Sequence, residues 1–242
     1  MSSMVIIPTY NERENLRQLT ERLVALHLPL DVVFVDDGSP DGTGELADAL
    51  AQRFPQVSVI HRQGKLGYAS AVIEGFRLAL KGEYSWILQM DADLSHDPAA
   101  IPLMLQAAED HDLVLGSRYV GGVRVIDWEM SRVLLSWFAN LYARTITGIP
   151  VQDVTTGFRC YRRSALEALD LGHIKSNGYG FLIELAYRIG RAGGHLTEVP
   201  IIFYGRQKGA SKMSTQIMLE AAILVWRLRF GRRLQVNPSS LG

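Results

Sequence analysis

The first half of the chain alternates short β-branched, apolar runs with longer amphipathic stretches, and this alternation restricts the fold more than any other feature. A strand that is followed by a helix and then a further strand favours a parallel pair, so repeated alternation predicts an α/β fold. We therefore expect a mostly parallel, twisted sheet with helices on both faces. The predicted strands are residues 4–7, 32–35, 57–60, 84–90 and 113–115, and the predicted helices between them are residues 12–26, 42–53, 69–80 and 99–110.

The second half is less regular but contains further helical and extended patterns. Residues 131–147, 179–191 and 215–229 are predicted to be helices, residues 156–161 a strand, and residues 196–203 extended. A chain of 242 residues can bury one full hydrophobic core, and no linker-like composition divides it. We expect a single domain, residues 1–242, with residues 1–118 and 119–213 as its two halves and residues 214–242 as a C-terminal apolar and basic helix and tail.

The charge balance and the single cysteine argue against several classes of protein. Lys and Arg together number 25, as do Asp and Glu, so the formal net charge is zero. A general nucleic-acid binder, which carries a basic excess, is therefore not expected. Because Cys160 is the one cysteine, the chain can form neither a disulfide framework nor a thiolate metal cluster, which is typical of a reducing, cytoplasmic setting.

We find neither a cleavable signal-peptide pattern nor an apolar run of about 18 residues that could span a bilayer. The longest apolar stretches are residues 133–143 and 221–226, and charged residues bound both of them. We expect any contact with a membrane to be peripheral or to be made through a partner.

Three polar segments, residues 8–11, 36–41 and 91–96, each follow a predicted strand of the first half. In open parallel sheets, ligands bind beyond the carboxyl ends of the strands. The sequence therefore predicts that these segments meet at one edge of the sheet and form the binding site.

Asp91 and Asp93 are the strongest local indication of a functional site, because two carboxylates one residue apart just past a strand can converge on a divalent cation. Mg²⁺ prefers oxygen ligands and is commonly shared between carboxylates and substrate phosphates. Such a cation would offset the charge of a departing nucleoside diphosphate. The alternative is a polar turn that caps the next helix, with Ser95 or Asp97 as the N-cap before Pro98.

The segments after the first two strands favour a nucleotide-binding site. Asp36 and Asp37 can accept hydrogen bonds from base or ribose groups, and the glycines of residues 36–43 allow close backbone approach. The aromatic face of Tyr10 can support a base. Either segment can instead be an ordinary turn or a helix start with Asn11 as its cap.

Taken in order, the segments at residues 8–12, 36–43, 64–71 and 91–93 resemble glycosyltransferase family 2. Their sequences are PTYNE, DDGSPDGT, GKLGYASA and DAD. Within the family the likeness is greatest to the dolichol-phosphate mannose synthases and related polyprenyl-phosphate glycosyltransferases, and it runs from residue 5 to about residue 213. The resemblance implies a GT-A, Rossmann-like fold with interfacial amphipathic helices in the C-terminal half.

The resemblance also implies which residues bind the sugar nucleotide. Asp91 and Asp93 would hold a Mg²⁺ or Mn²⁺ ion and the donor, with Ala92 between them and Ser95 near the cation. Residues 206–212 resemble a basic loop over the donor diphosphate. The other implied donor residues are Pro8, Tyr10, Glu12, Asp36 and Asp37 around the nucleoside, Lys65 near the donor (a solvated lysine being the alternative), and Arg206 and Lys212 on the diphosphate.

An acceptor with a phosphate head is implied by residues of the second half. Arg118 resembles the arginine with which the family binds the acceptor phosphate. Arg132 and Ser136 are four residues apart and share a helix face beside apolar residues, which suits a lipid phosphate. The alternative is an ordinary core helix with a charged edge. Residues 153–159 resemble the segment with which the family closes the acceptor side of its site. Glu184 also matches a position of the family, but we assign no role to it.

The implied activity is the inverting transfer of mannose from GDP-mannose to dolichyl or polyprenyl phosphate, with Asp91, Asp93, Arg118, Arg132 and Arg206 as catalytic residues. A phosphate monoester is already anionic near neutral pH, so positioning and charge stabilisation are expected to suffice without a general base. A UDP-sugar donor, a soluble acceptor and a non-catalytic nucleotide-binding subunit remain as alternatives. No Gly-x-Gly-x-x-Gly follows the first strand, which argues against a dinucleotide dehydrogenase.

The apolar segment 217–228 is followed by arginines at 229, 232 and 233 and includes Arg227. An apolar helix with basic residues is typical of a segment that lies in a membrane interface and favours anionic lipids. Packing against a membrane-anchoring subunit explains it equally well. With a lipid acceptor, either interpretation predicts a peripheral protein on the cytoplasmic face of a membrane.

Overall fold

The computed structural model describes residues 2–205 and 215–231, so Arg206, Lys212, Arg232 and Arg233 lie outside the described residues. Nine strands are described: β1 Ser3–Thr9, β2 Leu30–Asp36, β3 Val57–His61, β4 Trp86–Gln89, β5 Leu113–Ser117, β6 Val125–Ile126, β7 Arg159–Arg162, β8 Leu196–Pro200 and β9 Phe203–Tyr204. Seven of them form one sheet in the order β3-β2-β1-β4-β7-β5-β8, in which only β7 is antiparallel to its neighbours. The predicted α/β fold with a mostly parallel sheet is confirmed.

The helices cover both faces of this sheet. They are α1 Arg13–Val24, α2 Thr43–Arg53, α3 Tyr68–Ala79, α4 Ile101–Ala108, α5 Met130–Thr147, α6 Arg163–Glu167, α7 Gly178–Arg191 and α8 Thr215–Phe230, with short 3₁₀ helices at Pro98–Ala100 and Leu171–His173. The four helices predicted for the first half are present with small differences at their ends. Asn11 does not cap α1, because its backbone is left-handed (φ 57°) and the helix begins after Glu12.

Two hydrophobic clusters lie on opposite faces of the sheet because side chains alternate along each strand. In β1, Ile6 packs with Phe76 of α3 on one face, while Ile7 packs with Leu16 of α1 on the other. All four side chains are fully buried. This double burial explains why the strands of the first half are apolar runs rather than alternating patterns.

The antiparallel strand β7 connects the second half of the chain to the site. The strand predicted at residues 156–161 begins later, at Arg159, and pairs with β4 through Gln89 and with β5 through Leu115. Because β7 runs against β4, the residues just before Arg159 lie beside the carboxyl end of β4. The extended segment predicted at residues 196–203 divides into β8 and β9, and β9 pairs with β6, which had not been predicted.

Helices α5 and α8 pack against each other and expose a large apolar surface. Trp226 of α8 donates a hydrogen bond to the Tyr142 hydroxyl of α5 (2.7 Å), which in turn donates to the carbonyl of Ala222 (3.1 Å). None of the helices in the described part of the chain has the length and apolar character needed to cross a bilayer. The exposed apolar residues, which we call the α5/α8 surface, are Met130, Leu134, Leu135, Trp137, Phe138, Tyr142, Leu219, Ile223, Trp226 and Phe230.

Candidate active site

The carboxyl ends of β1, β2 and β4 lie side by side, as predicted from the polar segments that follow them. Thr9 at the end of β1 pairs with Asp36 at the end of β2, and Ile6 pairs with Gln89 at the end of β4. This arrangement brings residues 8–12, 36–41 and 91–96 to one edge of the sheet. Pro8 is the last but one residue of β1 and is partly buried there.

Asp36 is buried and organises the turn that follows β2. Its carboxylate accepts hydrogen bonds from the Thr9 hydroxyl (3.1 Å), the Ser39 hydroxyl (2.6 Å) and the Ser39 amide (3.0 Å). These contacts agree with the alternative interpretation of this segment as an ordinary turn. They also engage part of the Asp36 carboxylate within the chain.

Asp37 organises the loop that contains Lys65. Its carboxylate forms an ion pair with Arg62 (2.5 Å) and accepts hydrogen bonds from the amides of Leu66 (3.0 Å) and Gly67 (2.7 Å). Both side chains of the ion pair are more than nine-tenths buried. Sequence reasoning had not singled out Arg62, which carries no motif of its own.

Lys65 and Tyr10, two of the predicted donor residues, contact each other. The ammonium of Lys65 lies 4.3 Å from the centre of the Tyr10 ring, a cation–π distance. Glu12 is buried; its carboxylate accepts a hydrogen bond from the Asn15 side-chain amide (2.9 Å), and its backbone amide donates to the Thr43 hydroxyl (3.0 Å). The structure thus brings together one aromatic and one cationic side chain of the predicted donor residues.

Asp91 and Asp93 follow β4 in a tight turn. Ser95 donates to Asp93 through its hydroxyl (2.6 Å) and its amide (3.1 Å), and Ala92 between the two carboxylates is buried. Asp97 caps the 3₁₀ helix at Pro98 by accepting a hydrogen bond from the Ala99 amide. The capping turn and the carboxylate pair are therefore both present, since capping involves Asp97 rather than Asp91 or Asp93.

The chemistry of this turn fits a divalent cation that a substrate shares. The side chain of Asp91 is 34% exposed, whereas Asp93 is almost buried. No cluster of three or more His, Cys, Asp or Glu side chains suited to a metal occurs in the described ranges 2–205 and 215–231. Two carboxylates and the Ser95 hydroxyl supply only oxygen atoms, and phosphate and water oxygens would complete the coordination of Mg²⁺ or Mn²⁺.

His96 contacts the backbone of this turn, and the sequence analysis did not predict it as a site residue. Its Nδ1 accepts a hydrogen bond from the Asp91 amide (3.3 Å), and its ring stacks on Phe158 (5.1 Å between centres). Burial lowers the pKa of His96, although Asp91 and Asp93 oppose this effect. The ring is therefore neutral near pH 7, and its Nδ1 serves as an acceptor for the backbone of Asp91.

Arg118, the predicted acceptor-phosphate arginine, is buried in a network of its own. It donates to both carboxylate oxygens of Asp153 (2.7 and 2.6 Å) and to the Thr155 hydroxyl (2.8 Å). Burial disfavours the ionised Asp153, but the charge and hydrogen bonds of Arg118 outweigh it and lower the pKa of Asp153. These bonds use Nε and Nη2 of Arg118, and none of the hydrogen bonds in the described part of the chain uses Nη1.

Trp128 connects the two predicted acceptor arginines. The guanidinium carbon of Arg132 lies 4.0 Å from the Trp128 ring centre, and that of Arg118 lies 5.6 Å from it. Phe203 of β9 packs edge-on against the same tryptophan (5.2 Å). The pairing of β6 with β9 therefore sets the position of Trp128, which explains why the sequence pattern did not reveal it.

Ser136 is half-buried on the same helix as Arg132 and lies near the hydroxyl of Tyr119. That hydroxyl is buried and has no hydrogen-bond partner in the described part of the chain. Ser136 of the predicted polar pair therefore lies close to Tyr119, the residue that follows Arg118.

Phe203 lies between the predicted donor turn and the predicted acceptor arginines. Its ring packs edge-on against that of His96 (5.4 Å between ring centres), whose Nδ1 is 4.0 Å from the Asp91 carboxylate. The guanidinium carbon of Arg118 lies 5.4 Å from the centre of the same Phe203 ring, and Arg132 joins this cluster through Trp128. The aromatic cluster therefore brings Asp91, Arg118 and Arg132 to one region of the molecule, and sequence reasoning had not singled out Phe203.

Residues 153–159 are held in place by a fully buried arginine. Arg159 donates to the carbonyls of Val154 (2.6 Å), Thr156 (2.8 Å) and Leu182 (2.7 Å), so backbone oxygens satisfy its guanidinium. Glu184, which had no assigned role, is buried and paired with Arg188, with the Ser176 hydroxyl bonded to its other oxygen. Both carboxylate oxygens of Glu184 are therefore engaged within the chain.

Comparison with known proteins agrees with this geometry. Residues 4–170 match the family model described as "Glycosyl transferase family 2". An undecaprenyl-phosphate mannosyltransferase of Micrococcus luteus is 43% identical over 242 residues, covering 100% of both chains. A polyprenol monophosphomannose synthase of Mycolicibacterium smegmatis is 45% identical over 231 residues, covering 94% of this chain and 87% of that one.

A solved structure shares the fold. Glucosyl-3-phosphoglycerate synthase from Mycobacterium tuberculosis, in complex with Mn²⁺ and UDP-glucose, superposes with a TM-score of 0.69, covering 94% of this chain and 79% of that chain. At 17% identity, this likeness concerns the fold alone.

Proposed function

Since the chain belongs to glycosyltransferase family 2 and is a glycosyltransferase, we propose that it transfers mannose from GDP-mannose to the phosphate of a polyprenyl or dolichyl phosphate, with inversion and release of GDP. The observation that carries the proposal is the aromatic cluster of His96, Phe203 and Trp128, whose contacts bring Asp91 into the same region as Arg118 and Arg132. Carboxylates on one side suit a cation-bound sugar nucleotide, and guanidiniums on the other suit an anionic acceptor. The names of the relatives from M. luteus and M. smegmatis support mannose and a polyprenyl phosphate.

On the donor side, we assign the cation and the diphosphate to Asp91 and Asp93, with Ala92 and Ser95 in the same turn. A bound Mg²⁺ or Mn²⁺ ion would offset the charge that develops on the departing diphosphate. We assign the nucleoside to Pro8, Tyr10, Glu12, Asp36 and Asp37, with Lys65 near the donor. Arg206 and Lys212, outside the described residues, remain proposed ligands of the diphosphate.

On the acceptor side, Arg118, Arg132 and Ser136 would hold the phosphate. Asp153 binds two nitrogens of Arg118 and orients the third, Nη1, whereas Arg132 is exposed on α5 and is oriented by Trp128. The phosphate oxygen is itself the nucleophile and is already anionic near neutral pH. The chain therefore has to align the two substrates and stabilise charge rather than remove a proton.

We assign the hydrocarbon part of the acceptor to a membrane that the α5/α8 surface contacts. Arg132 lies on the helix that carries most of this surface, so an acceptor phosphate at Arg132 would place its lipid tail beside apolar side chains. Arg227 and Arg229 lie in the last turn of α8, where they would meet anionic headgroups. The protein would then be peripheral on the cytoplasmic face of a membrane, alone or with a membrane-anchoring subunit.

The test is to incubate the purified protein with labelled GDP-mannose and a short polyprenyl phosphate in the presence of Mg²⁺ or Mn²⁺. We expect a mannosylated lipid phosphate, with no comparable product from UDP-glucose or from a soluble glycan acceptor. Nucleotide binding without transfer would instead indicate a non-catalytic subunit. Preferential use of a UDP-sugar or of a soluble acceptor would overturn the corresponding half of the proposal.

Two substitutions assign the residues. Asp93→Ala should abolish transfer, because the cation loses a charged ligand.

Arg132→Ala should raise the KM for the lipid phosphate by about tenfold, the equivalent of one charge-assisted hydrogen bond, and change the KM for the donor little. Arg53→Ala is the matched control, since Arg53 is an exposed arginine at the end of α2. An active Asp93→Ala variant, or an Arg132→Ala variant with unchanged lipid kinetics, would refute these roles.

A further inference from the structure

A chain of hydrogen bonds runs from the middle of the sheet to the carboxylate of Asp91. The Tyr161 hydroxyl of β7 donates to Gln89 Oε1 of β4 (2.9 Å), and Gln89 Nε2 donates to the Tyr68 hydroxyl at the start of α3 (2.8 Å). The Tyr68 hydroxyl then donates to Asp91 Oδ1 (3.1 Å). Four residues from three separate parts of the chain are thus connected by three consecutive bonds.

The direction of every bond in this chain follows from the carboxylate at its end. An ionised Asp91 can only accept, so the single proton of the Tyr68 hydroxyl must point to Asp91. Tyr68 then has only its lone pairs to offer Gln89, which must present its amide nitrogen. Gln89 consequently presents its carbonyl oxygen to Tyr161, which must donate. The orientation of the Gln89 amide is therefore determined by Asp91.

The interior residues of this chain are buried where water cannot replace them. Gln89 and Tyr161 have no exposed surface, and Gln89 is the polar residue of the otherwise apolar strand β4. Burying an amide in a sheet is unfavourable unless its hydrogen bonds are made. A leucine at position 89 would avoid this cost, so the glutamine points to a function that an apolar residue does not supply.

Gly157 closes the remaining space around Tyr68 and Asp91. A Cβ atom at this position would lie 2.9 Å from the Tyr68 hydroxyl and 3.0 Å from Asp91 Oδ1. The segment that closes the acceptor side therefore packs directly on the last bond of the chain. This packing limits the rotation of the Asp91 carboxylate as long as Tyr68 holds its position.

We propose that Tyr161, Gln89 and Tyr68 form a positioning relay that holds the Asp91 carboxylate in the orientation required for the cation and diphosphate of the donor. The inference rests on the proposed donor-binding role of Asp91 but not on the identity of the sugar or the acceptor. Tyr68 acts directly on Asp91, whereas Gln89 and Tyr161 act only through Tyr68. When a residue that hydrogen-bonds to a metal ligand is replaced, the affinity for the metal typically falls by about 10–100-fold.

The experiment measures the binding of Mn²⁺ in the presence of GDP, by electron paramagnetic resonance of free Mn²⁺ and by calorimetry, with UDP as a second nucleotide probe. We expect Tyr68→Phe to weaken Mn²⁺ binding by about tenfold. Tyr161→Phe should weaken it in the same direction but less, by about threefold, because Gln89 still contacts Tyr68. The double variant should bind Mn²⁺ as Tyr68→Phe does, since Tyr161 has no route to Asp91 once the Tyr68 hydroxyl is absent.

Tyr84→Phe is the matched control. Tyr84 also donates its hydroxyl to a carboxylate, that of Asp31 (2.6 Å), but Asp31 lies near the opposite end of the sheet strands. We expect this variant to bind Mn²⁺ and GDP as the wild type does. Additive losses in the double variant, or a loss of the same size in Tyr84→Phe, would indicate a general effect on the fold and would overturn the relay.

The outcomes separate this inference from the proposed function. If the wild type binds no Mn²⁺ with either nucleotide, the donor assignment of Asp91 fails and the relay fails with it. If the wild type binds Mn²⁺ and Tyr68→Phe binds it equally well, only the relay fails. If Tyr68→Phe does not fold, as judged by circular dichroism, the threefold loss expected for Tyr161→Phe decides the question.

Discussion

At the scale of single residues, the acidic side chains near the sheet edge differ in how far the chain itself engages them. Asp37 and Asp153 are buried and paired with Arg62 and Arg118, and removing one partner of such a pair would leave a buried charge uncompensated. The side chain of Asp91 is partly exposed. Of these three carboxylates, that of Asp91 is therefore the most accessible to a ligand.

Gly157 provides a direct test of the packing around Asp91. We expect Gly157→Ala to lower kcat/KM by about tenfold, because its Cβ would lie 2.9 Å from the Tyr68 hydroxyl and must displace it or Asp91. The thermal midpoint should change little, since the contacts are with side-chain ends rather than with backbone. Steady-state kinetics and a thermal melt on the same preparation measure both effects.

Gly190→Ala is the control for this substitution. Its Cβ would meet Leu196 at an ordinary 3.7 Å, and alanine favours the helix in which Gly190 lies. We expect unchanged kinetics and equal or greater stability. A Gly157→Ala enzyme with wild-type kcat/KM would show that the Asp91 carboxylate tolerates displacement.

At the scale of secondary-structure elements, α5 and α8 each expose several large apolar side chains. Leu134, Phe138 and Tyr142 follow one another at intervals of four residues, so they lie along one stripe of α5. Leu219, Ile223 and Trp226 form a similar stripe on α8. An exposed apolar area of this kind is typical of a binding surface, which agrees with the proposed membrane contact.

The two stripes give a prediction about membrane binding. We expect the double variant Leu134→Glu/Phe138→Glu to reduce binding to vesicles of anionic phospholipid by at least about tenfold, because a carboxylate cannot enter the apolar part of the interface without a large cost. Co-sedimentation with the vesicles measures the bound fraction.

Leu103→Glu controls for charge, as Leu103 is an exposed leucine of α4 on the other side of the sheet. It should leave vesicle binding unchanged. Equal binding by the double variant and the wild type would count against a membrane-facing role for α5. Absence of vesicle binding by the wild type would instead favour a membrane-anchoring subunit as the partner of this surface.

At the scale of the whole molecule, β7 joins the two halves of the chain into one sheet. The strand lies between β4 and β5, and its Cys160 is completely buried. Burial raises the pKa of the Cys160 thiol, although Arg162 opposes this effect. The thiol is therefore both inaccessible and protonated in the folded protein, and its reactivity reports on separation of the central strands.

Cys160 gives a prediction about global stability. Iodoacetamide should not label the native protein at pH 7 or pH 9, and it should label one thiol per chain in denaturant. Above about pH 8.5 the unfolded chain loses the thiol proton and the folded chain keeps it, so the unfolding free energy should fall with rising pH by up to about 1.4 kcal/mol per pH unit. Denaturant titrations at several pH values measure this slope.

Cys160→Ala should lack that contribution to the slope between about pH 8.5 and 9.5, where tyrosines with raised pKa values do not yet ionise. Rapid labelling of the native wild type would show that β7 opens locally, without unfolding of the rest of the sheet. Identical slopes for the two proteins would mean that burial does not raise the pKa of this thiol.

Much of the fold and part of the site could be predicted because their signals are local. Apolar runs such as residues 32–35 predict strands, and amphipathic stretches such as residues 42–53 predict helices. The rule for parallel sheets predicts a site beyond the strand ends. The order of the four motifs was enough to indicate the family. Asp91 and Asp93 could be predicted as donor residues in this way because both belong to one short turn.

The remaining features required the tertiary structure because they depend on contacts between distant parts of the chain. The antiparallel insertion of β7 brings Tyr161 to Gln89, 72 positions away in the chain, and places Gly157 against Asp91. Trp128 reaches the two acceptor arginines only through the pairing of β6 with β9. A periodic pattern determines which face of an element is buried, but only packing decides which buried polar groups can satisfy each other's hydrogen bonds.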